Sequence, residues 1–221
     1  MTYTHLLFDH DGVLVNTEPL YLQAIQEQLA TLGIALRETD YIQNMAVGAD
    51  PWALARAAGC DEATVDQLRD ARDARYQQLL STRPITIAGV DDLIAELAEY
   101  FQLAIVTTSR DVDFDLIHAL DGQPRTSTTP DVVRHMGFIL TRSQYEKSKP
   151  DPQPYLLALS RFGIEPSQAL VIEDSERGLR SAVSAGIDCA AIYHPFTARQ
   201  RFTEASYRFA DLGELKQFLL G

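Results

Sequence analysis

Two carboxylates follow a short apolar run near the start of the chain. Residues 6–8 are Leu, Leu and Phe, and Asp9, Asp11 and Gly12 come directly after them. A short apolar run that meets a turn signal is typical of a buried strand, and open α/β sheets place their sites at strand ends. Two neighbouring carboxylates repel each other when both are ionised, so they need a cation or a shared proton. The pair therefore predicts a divalent metal, a perturbed acid, or both.

Polar side chains also follow three later apolar runs. Thr107 and Thr108 follow the second predicted strand, Lys149 lies in a Pro-rich segment after the third, and Glu173 and Asp174 end the fourth. In a parallel sheet the carboxyl ends of all strands lie at the same edge. We therefore expect carboxylates, a hydroxyl and an ammonium group to meet there.

These groups suit phosphoryl transfer. A phosphate ester is a dianion, so Mg²⁺ held by Asp9 and Asp174 would have to neutralise its oxygens before a carboxylate approaches. Lys149 would add positive charge, while the Thr107 hydroxyl and the amides after it, including that of Thr108, would bind the remaining oxygens. One carboxylate would attack phosphorus to form an aspartyl phosphate. A second would protonate the leaving oxygen and later deprotonate water.

The elements that position these groups change character along the chain. Residues 15–84 predict helices, among them one that starts with Thr17 as its N-cap and ends at Gly33. From about residue 85, strands alternate with helices, which implies βαβ units and a parallel sheet. The chain is therefore predicted to have an α/β fold in which a helical segment interrupts the core. Residues 121–132 are polar and predict a surface loop.

Four motifs together resemble the haloacid dehalogenase superfamily, in its phosphatase and phosphomutase branch with a small helical cap. The residues that carry the resemblance are Asp9-His10-Asp11-Gly12-Val13-Leu14, Thr107, Lys149-Pro150-Asp151-Pro152 and Glu173-Asp174-Ser175-Glu176-Arg177-Gly178. The resemblance spans essentially the whole chain. It implies a Rossmann-like parallel-sheet core formed by residues 1–14 and 85–221, with an inserted all-helical cap domain of residues 15–84.

The resemblance also implies a role for each site residue. Asp9 would be the nucleophile and Asp11 the general acid and base. Mg²⁺ would be held by the side chains of Asp9 and Asp174 and the backbone carbonyl of Asp11. Glu173 would lie in or next to that shell, where it would ligate the metal, hold a water or orient a neighbour. Thr107, Thr108 and Lys149 would bind the phosphate.

Within the superfamily the residues favour hydrolysis of a small phosphorylated metabolite. Asp11 argues against the dehalogenase branch, because a halide leaves without a proton. The absence of lysine from residues 15–84 argues against the phosphonate-cleaving branch, which uses a cap lysine. A sugar phosphomutase is the main alternative, but residues 44–51 contain no basic side chain to grip a second phosphate. A non-enzymatic phosphoryl receiver module fits less well, since such modules are shorter and lack a cap.

Composition excludes other classes. The net charge of −12 opposes nonspecific binding to nucleic acid. No apolar stretch is long enough to cross a bilayer, and no targeting segment precedes Asp9, so a cytoplasmic location is the default expectation. The cysteines, Cys60 and Cys189, form no metal-type spacing. A monomer is favoured.

Some residues are expected to be structural only. Strand alternation would point His10 away from its neighbours Asp9 and Asp11, which predicts a packing role. Arg142 and Arg177 are expected to form structural ion pairs. Trp52 is expected to pack within the helical segment.

Overall fold

The structure, a computed structural model, describes residues 3–46, 48–120 and 130–221. Most of the loop predicted at residues 121–132 lies outside the described residues. Among the helices described, none combines the length and the apolar character needed to span a membrane.

The core is a sheet of six parallel strands in the order β3-β2-β1-β4-β5-β6. The strands are β1 His5–Phe8, β2 Gln102–Val106, β3 Met136–Leu140, β4 Ala169–Glu173, β5 Asp188–Ile192 and β6 Tyr207–Phe209. β1 lies at the centre, where Phe8 aligns with Ile105 of β2 and Ile172 of β4. The α/β parallel-sheet prediction is confirmed. This order brings the segments after β1, β2 and β4 to one edge of the sheet.

Helices cover both faces of this sheet. They are α5 Val90–Leu97, α6 Asp111–His118, α7 Gln153–Phe162, α8 Glu176–Ser184 and α9 Leu212–Leu220, numbered after four earlier helices. Along β1, Leu6 and Phe8 join the apolar cluster under α5, α6 and α9, whereas Leu7 joins the cluster under α7 and α8. Strand side chains alternate between faces, so burying both faces requires a continuous apolar run. The run at residues 6–8 meets that need.

The earlier four helices fill the interval between β1 and α5. They are α1 Glu18–Ala30, α2 Glu38–Ala46, α3 Ala53–Ala57 and α4 Glu62–Thr82, and the described residues of this interval contain no strand. Leu22 and Ile25 of α1 pack with Val65 of α4 in a cluster that also buries Trp52, as expected. The division into a core of residues 1–14 and 85–221 and a cap of residues 15–84 stays a prediction.

Helix α1 begins at Glu18 with Thr17 at the N-cap position, as predicted, but it ends before the predicted Gly33. The helix ends at Ala30, three residues before Gly33, which occupies a turn with φ +73°. Thr17 has helical backbone angles, and its side chain makes no capping bond. Its hydroxyl donates instead to Asp11 Oδ1 at 2.5 Å, because the turn after β1 brings the two residues together.

The first turn of α8 lies against the end of β4. Gly178 makes this approach possible, since a Cβ there would overlap the carboxylate of Glu173. Glycine at position 178 therefore allows α8 to pack against β4 while the Glu173 side chain occupies the space between them.

We expect Gly178→Ala to destabilise the protein by about 1–3 kcal/mol through overpacking. Helix propensity alone would stabilise it by about 1 kcal/mol, so the sign separates the two effects. Urea denaturation measures the free energy of unfolding. Gly137→Ala in β3 is the matched control, because its Cβ would lie 3.4 Å from the Phe162 ring. A Gly178→Ala protein more stable than wild type would contradict the prediction.

Candidate active site

Lys149 occupies the centre of the edge where the strands end. Its Nζ donates to Asp9 Oδ1 at 2.8 Å, to Glu173 Oε1 at 2.7 Å and to the carbonyl of Val106 at 2.7 Å. The side chain is 3% exposed. Burial lowers the pKa of Lys149, but the charges of Asp9 and Glu173 outweigh it and raise that pKa above its usual value. The group is therefore a buried ammonium that joins three strand ends.

Glu173 is fully buried, and both of its oxygens have donors. Oε1 accepts the bond from Lys149 and a second from the Tyr155 hydroxyl at 2.9 Å. Oε2 accepts from the Ser175 hydroxyl at 3.0 Å. Of the three roles open to Glu173, these contacts favour orienting a neighbour, the Lys149 ammonium.

Asp9, Glu173 and Asp174 form an acidic cluster. Each offers a carboxylate oxygen, and these oxygens lie within 4.8 Å of one another. The Asp174 carboxylate lies where a Cβ on Gly12 would stand, and Gly12 has φ +81°, so both the space and the backbone angle require glycine here.

The positive charge near the acidic cluster is too small to balance its three carboxylates. Burial, then the charges of Asp9 and Glu173, raise the pKa of Asp174 well above its usual value. Burial and the charge of Glu173 likewise raise the pKa of Asp9, against the opposing effect of Lys149. His194 Nδ1 lies 3.9 Å from Asp174 Oδ2, beyond hydrogen-bond distance. Several hard oxygen donors with uncompensated charge fit a divalent cation.

Asp11 is held by a ring of donors. Its Oδ1 accepts from Thr17, and its Oδ2 accepts from the Ser109 hydroxyl. Oδ2 also lies 3.4 Å from His10 Nδ1 and 3.5 Å from the Thr107 hydroxyl. Burial raises the pKa of Asp11, but His10 and the hydroxyls outweigh burial and hold that pKa well below its usual range. These donors therefore hold the Asp11 carboxylate in a fixed position.

The prediction that His10 points away from Asp11 is wrong. β1 ends at Phe8 and the chain bends at His10, so strand alternation no longer decides which way its side chain points. His10 is buried beside Phe114 and keeps the predicted packing contact as well.

Thr107 is buried, whereas its neighbour Thr108 is exposed to solvent. Thr107 is 1% exposed, and its hydroxyl accepts from the Ser109 amide at 3.0 Å, while its carbonyl accepts from the Tyr145 hydroxyl at 2.6 Å. Thr108 is exposed and lines the cavity described next. The two predicted phosphate-binding threonines therefore differ in how firmly the fold holds them.

A cavity of about 910 Å³ opens above these groups. The predicted site residues that line it are Asp9, Asp11, Thr108, Lys149 and Asp174. Helices α1 and α4 contribute Glu18, Tyr21, Arg72 and Tyr76 to its opposite wall. Burial raises the pKa of Glu18 to about 7, although the Tyr41 hydroxyl donates to it. The cavity is large enough for a small polar metabolite.

Two expected ion pairs are absent among the described residues. Arg177 donates to the carbonyl of Lys149 at 2.8 Å, and Arg142 donates to the carbonyl of Tyr145 at 2.7 Å. Both are structural as expected, but they brace backbone instead of carboxylates. Each carbonyl belongs to a residue beside the site, so the arginines stiffen the loop that carries Lys149.

Sequence reasoning missed several residues that touch the site. Thr17 was interpreted as a helix cap, although its hydroxyl bonds to Asp11, and the Ser109 hydroxyl bonds to Asp11 as well. Tyr155 bonds to Glu173 from helix α7, 18 positions earlier in the chain, and no local pattern indicates that contact. The spacing of Thr17, six residues after Asp11 and across a glycine turn, is the one signal that was available.

Comparison with known proteins agrees with this geometry. Residues 6–192 match the family model of haloacid dehalogenase-like hydrolases. The chain is 30% identical to protein CbbY of Rhodobacter capsulatus, over 94% of this chain and 92% of that protein. It is 27% identical to the N-acetylmuramic acid 6-phosphate phosphatase of Pseudomonas aeruginosa, over 86% of this chain and 82% of that protein.

A solved structure shares the fold over nearly the whole chain. The crystal structure of CbbY from Rhodobacter sphaeroides in complex with phosphate has a TM-score of 0.74 and 26% identity, and the match covers 96% of each chain. Sheet order, the buried lysine and the acidic cluster fit the same assignment. The chain therefore belongs to the haloacid dehalogenase-like hydrolases.

Proposed function

We propose that the protein hydrolyses the phosphate monoester of a small metabolite through an aspartyl phosphate. The observation that carries the proposal is the bond from Lys149 Nζ to Asp9 Oδ1 at 2.8 Å, beside the acidic cluster and at the floor of the cavity. A carboxylate nucleophile meets a phosphate dianion only where positive charge is concentrated. Lys149 supplies part of that charge.

We propose Mg²⁺ as the cofactor, held by the side chains of Asp9 and Asp174 and the backbone carbonyl of Asp11. The oxygen donors and the raised pKa of Asp174 both favour a hard cation at this point. When bound, the ion would neutralise phosphate oxygens and so let the anionic nucleophile approach. Glu173 then serves Lys149 more than the metal, because its oxygens already have donors.

In this proposal, separate residues carry out nucleophilic attack, proton transfer and phosphate binding. Asp9 attacks phosphorus, and the bond from phosphorus to the ester oxygen breaks. Asp11, protonated for this step, gives its proton to the leaving oxygen and then takes a proton from the water that attacks the aspartyl phosphate. Lys149, Thr107 and the amides after Thr107, including that of Thr108, hold the phosphate oxygens. Water attack releases phosphate and restores Asp9.

The activities for which relatives are named support a phosphate ester as substrate. One relative is an N-acetylmuramic acid 6-phosphate phosphatase, and a solved relative was crystallised with phosphate. We further propose that residues 15–84 act as a cap domain over the cavity, and that the protein works as a cytoplasmic monomer. Its net charge of −12 opposes binding to nucleic acid, which is also negatively charged.

A phosphate-release screen over a panel of sugar and polyol phosphates tests the function directly. We expect release that requires Mg²⁺ and stops when the ion is chelated. The screen also separates the phosphomutase alternative, since a hexose 1-phosphate with a trace of bisphosphate would then isomerise without free phosphate. Isomerised product alone would overturn the hydrolase proposal.

Asp9→Asn is expected to reduce turnover by about a thousand-fold or more, because an amide is a far poorer nucleophile than a carboxylate. Steady-state phosphate release measures the effect, and circular dichroism checks the fold. Asp70→Asn, at an exposed position of α4, is the matched control and should keep wild-type turnover. Asp9→Asn turnover near wild type would refute the nucleophile assignment.

Asp11→Asn is expected to slow ester hydrolysis by about a hundred-fold or more, the range for losing a general acid. Mg²⁺ affinity should change much less, since the backbone carbonyl survives the substitution. Calorimetric titration with Mg²⁺ compares the two proteins. Equal losses of affinity and rate would show that the Asp11 side chain serves the metal instead of the proton.

A further inference from the structure

The Tyr145 hydroxyl contacts the segment after β2 but takes no part in the proposed reaction steps. Tyr145 follows the short 3₁₀-helix Arg142–Gln144 and is 5% exposed. Its hydroxyl donates to the carbonyl of Thr107 at 2.6 Å. The Arg142 guanidinium donates to the Tyr145 carbonyl at 2.7 Å and lies 5.5 Å from the ring centre. Backbone and ring are thus both held, and the hydroxyl is fixed against one carbonyl.

That carbonyl shares a peptide unit with the amide of Thr108. A trans peptide unit is planar, and its C=O and N–H point in opposite directions. The Thr107 carbonyl points to the Tyr145 hydroxyl, so the Thr108 N–H points away from Tyr145. Thr108 is exposed and lines the cavity. The orientation of this peptide unit therefore decides whether the N–H faces the cavity.

The Thr108 amide differs from its neighbours in having no acceptor within the part of the chain that the structure describes. The Thr107 amide donates to the carbonyl of Leu140 at 2.9 Å, and the Ser109 amide donates to the Thr107 hydroxyl at 3.0 Å. A backbone N–H that is fixed in direction and open to a cavity is a ready donor to an anionic oxygen. The segment after β2 therefore offers one such donor.

We propose that Tyr145 is a positioning residue, which holds the Thr107–Thr108 peptide unit so that the Thr108 N–H is aimed at the phosphate of the substrate. Its hydrogen bond acts in two ways. The bond keeps the carbonyl on the buried side, and it polarises the peptide unit, which strengthens the N–H as a donor. The inference rests on the proposed function, in which this amide binds the phosphate.

The consequence of losing the hydroxyl follows from the same peptide geometry. In Tyr145→Phe the ring stays, but the buried Thr107 carbonyl lacks its donor, which is costly. The peptide unit then gains by rotating its carbonyl toward water, and that rotation turns the N–H away from the phosphate. The amide binds the same phosphate group in the bound ester and in the transition state. Losing such uniform binding raises KM and leaves kcat nearly unchanged.

Calorimetric titration with inorganic phosphate, in the presence of Mg²⁺, compares wild type with Tyr145→Phe. We expect the phosphate Kd to rise about five- to tenfold, the size of one weakened hydrogen bond to a charged group. KM should rise by the same factor for p-nitrophenyl phosphate and for the sugar phosphate that the screen shows to be turned over fastest, because both carry the same phosphate group. We expect kcat to change by less than about twofold.

Tyr3→Phe is the matched control, because it also removes a hydroxyl that donates a short hydrogen bond. The Tyr3 hydroxyl donates to Asp188 at 2.6 Å, but Tyr3 precedes β1 and so lies at the opposite edge of the sheet. This variant should keep the wild-type phosphate Kd. Urea denaturation measures how much stability each variant loses. A residue that only supports the fold would lower the free energy of unfolding and leave the phosphate Kd of the folded protein unchanged.

Amide NMR adds a measurement at the donor itself. Phosphate should move the Thr108 amide proton downfield in wild type, and the movement should be smaller in Tyr145→Phe. A wild-type Thr108 amide that does not respond to phosphate would overturn the positioning role, and so would an equal phosphate Kd in the two proteins. Ester hydrolysis without the amide response would refute this inference alone. The amide response without hydrolysis of any ester would refute only the proposed function.

Discussion

The Lys149 ammonium is the interaction on which the site depends. It bonds to Asp9 after the central strand, to Glu173 at the end of β4 and to the last carbonyl of β2, so one buried cation joins three strand ends. Removing one partner of a buried ion pair leaves a charge without compensation, which costs far more than an exposed pair is worth. Register at this edge of the sheet and the charge state of the candidate nucleophile are thereby tied to the same group.

Three carboxylates lie within a few ångströms of one another beside this ammonium group. The carboxylates of Asp9, Glu173 and Asp174 approach one another because Gly12 and Gly178 lack the side chains that would keep them apart. A protein with a net charge of −12 does not attract an anionic substrate from a distance. Binding an anionic substrate therefore depends on local donors, and the structure holds Lys149 buried and in contact with three strand ends.

Much of the fold and of the site could be predicted from the order and spacing of residues along the sequence. Apolar runs ending in Asp9, Thr107 and Glu173 predicted parallel strands with their polar ends at one edge, and the sheet has that form. The predictions that failed were local ones. His10 was expected to follow strand alternation, but it lies in the bend after β1 and its ring turns toward Asp11. Thr17 stands at the N-cap position as expected, but its hydroxyl bonds to Asp11 and makes no capping bond. Arg177 was expected to meet a carboxylate, and it meets a carbonyl instead.

The sequence by itself determined the fold class, the family and the identity of the groups at the sheet edge, since apolar periodicity and motif order are properties of the chain. Only the tertiary structure decided which groups touch. Tyr155 reaches Glu173, and His118 reaches His10 across 108 positions, because packing on opposite faces of the sheet brings distant helices to the same strand ends. No local propensity encodes such a contact. It arises when both faces of the sheet are buried at once, and polar atoms enclosed in that way must find partners wherever the fold supplies them.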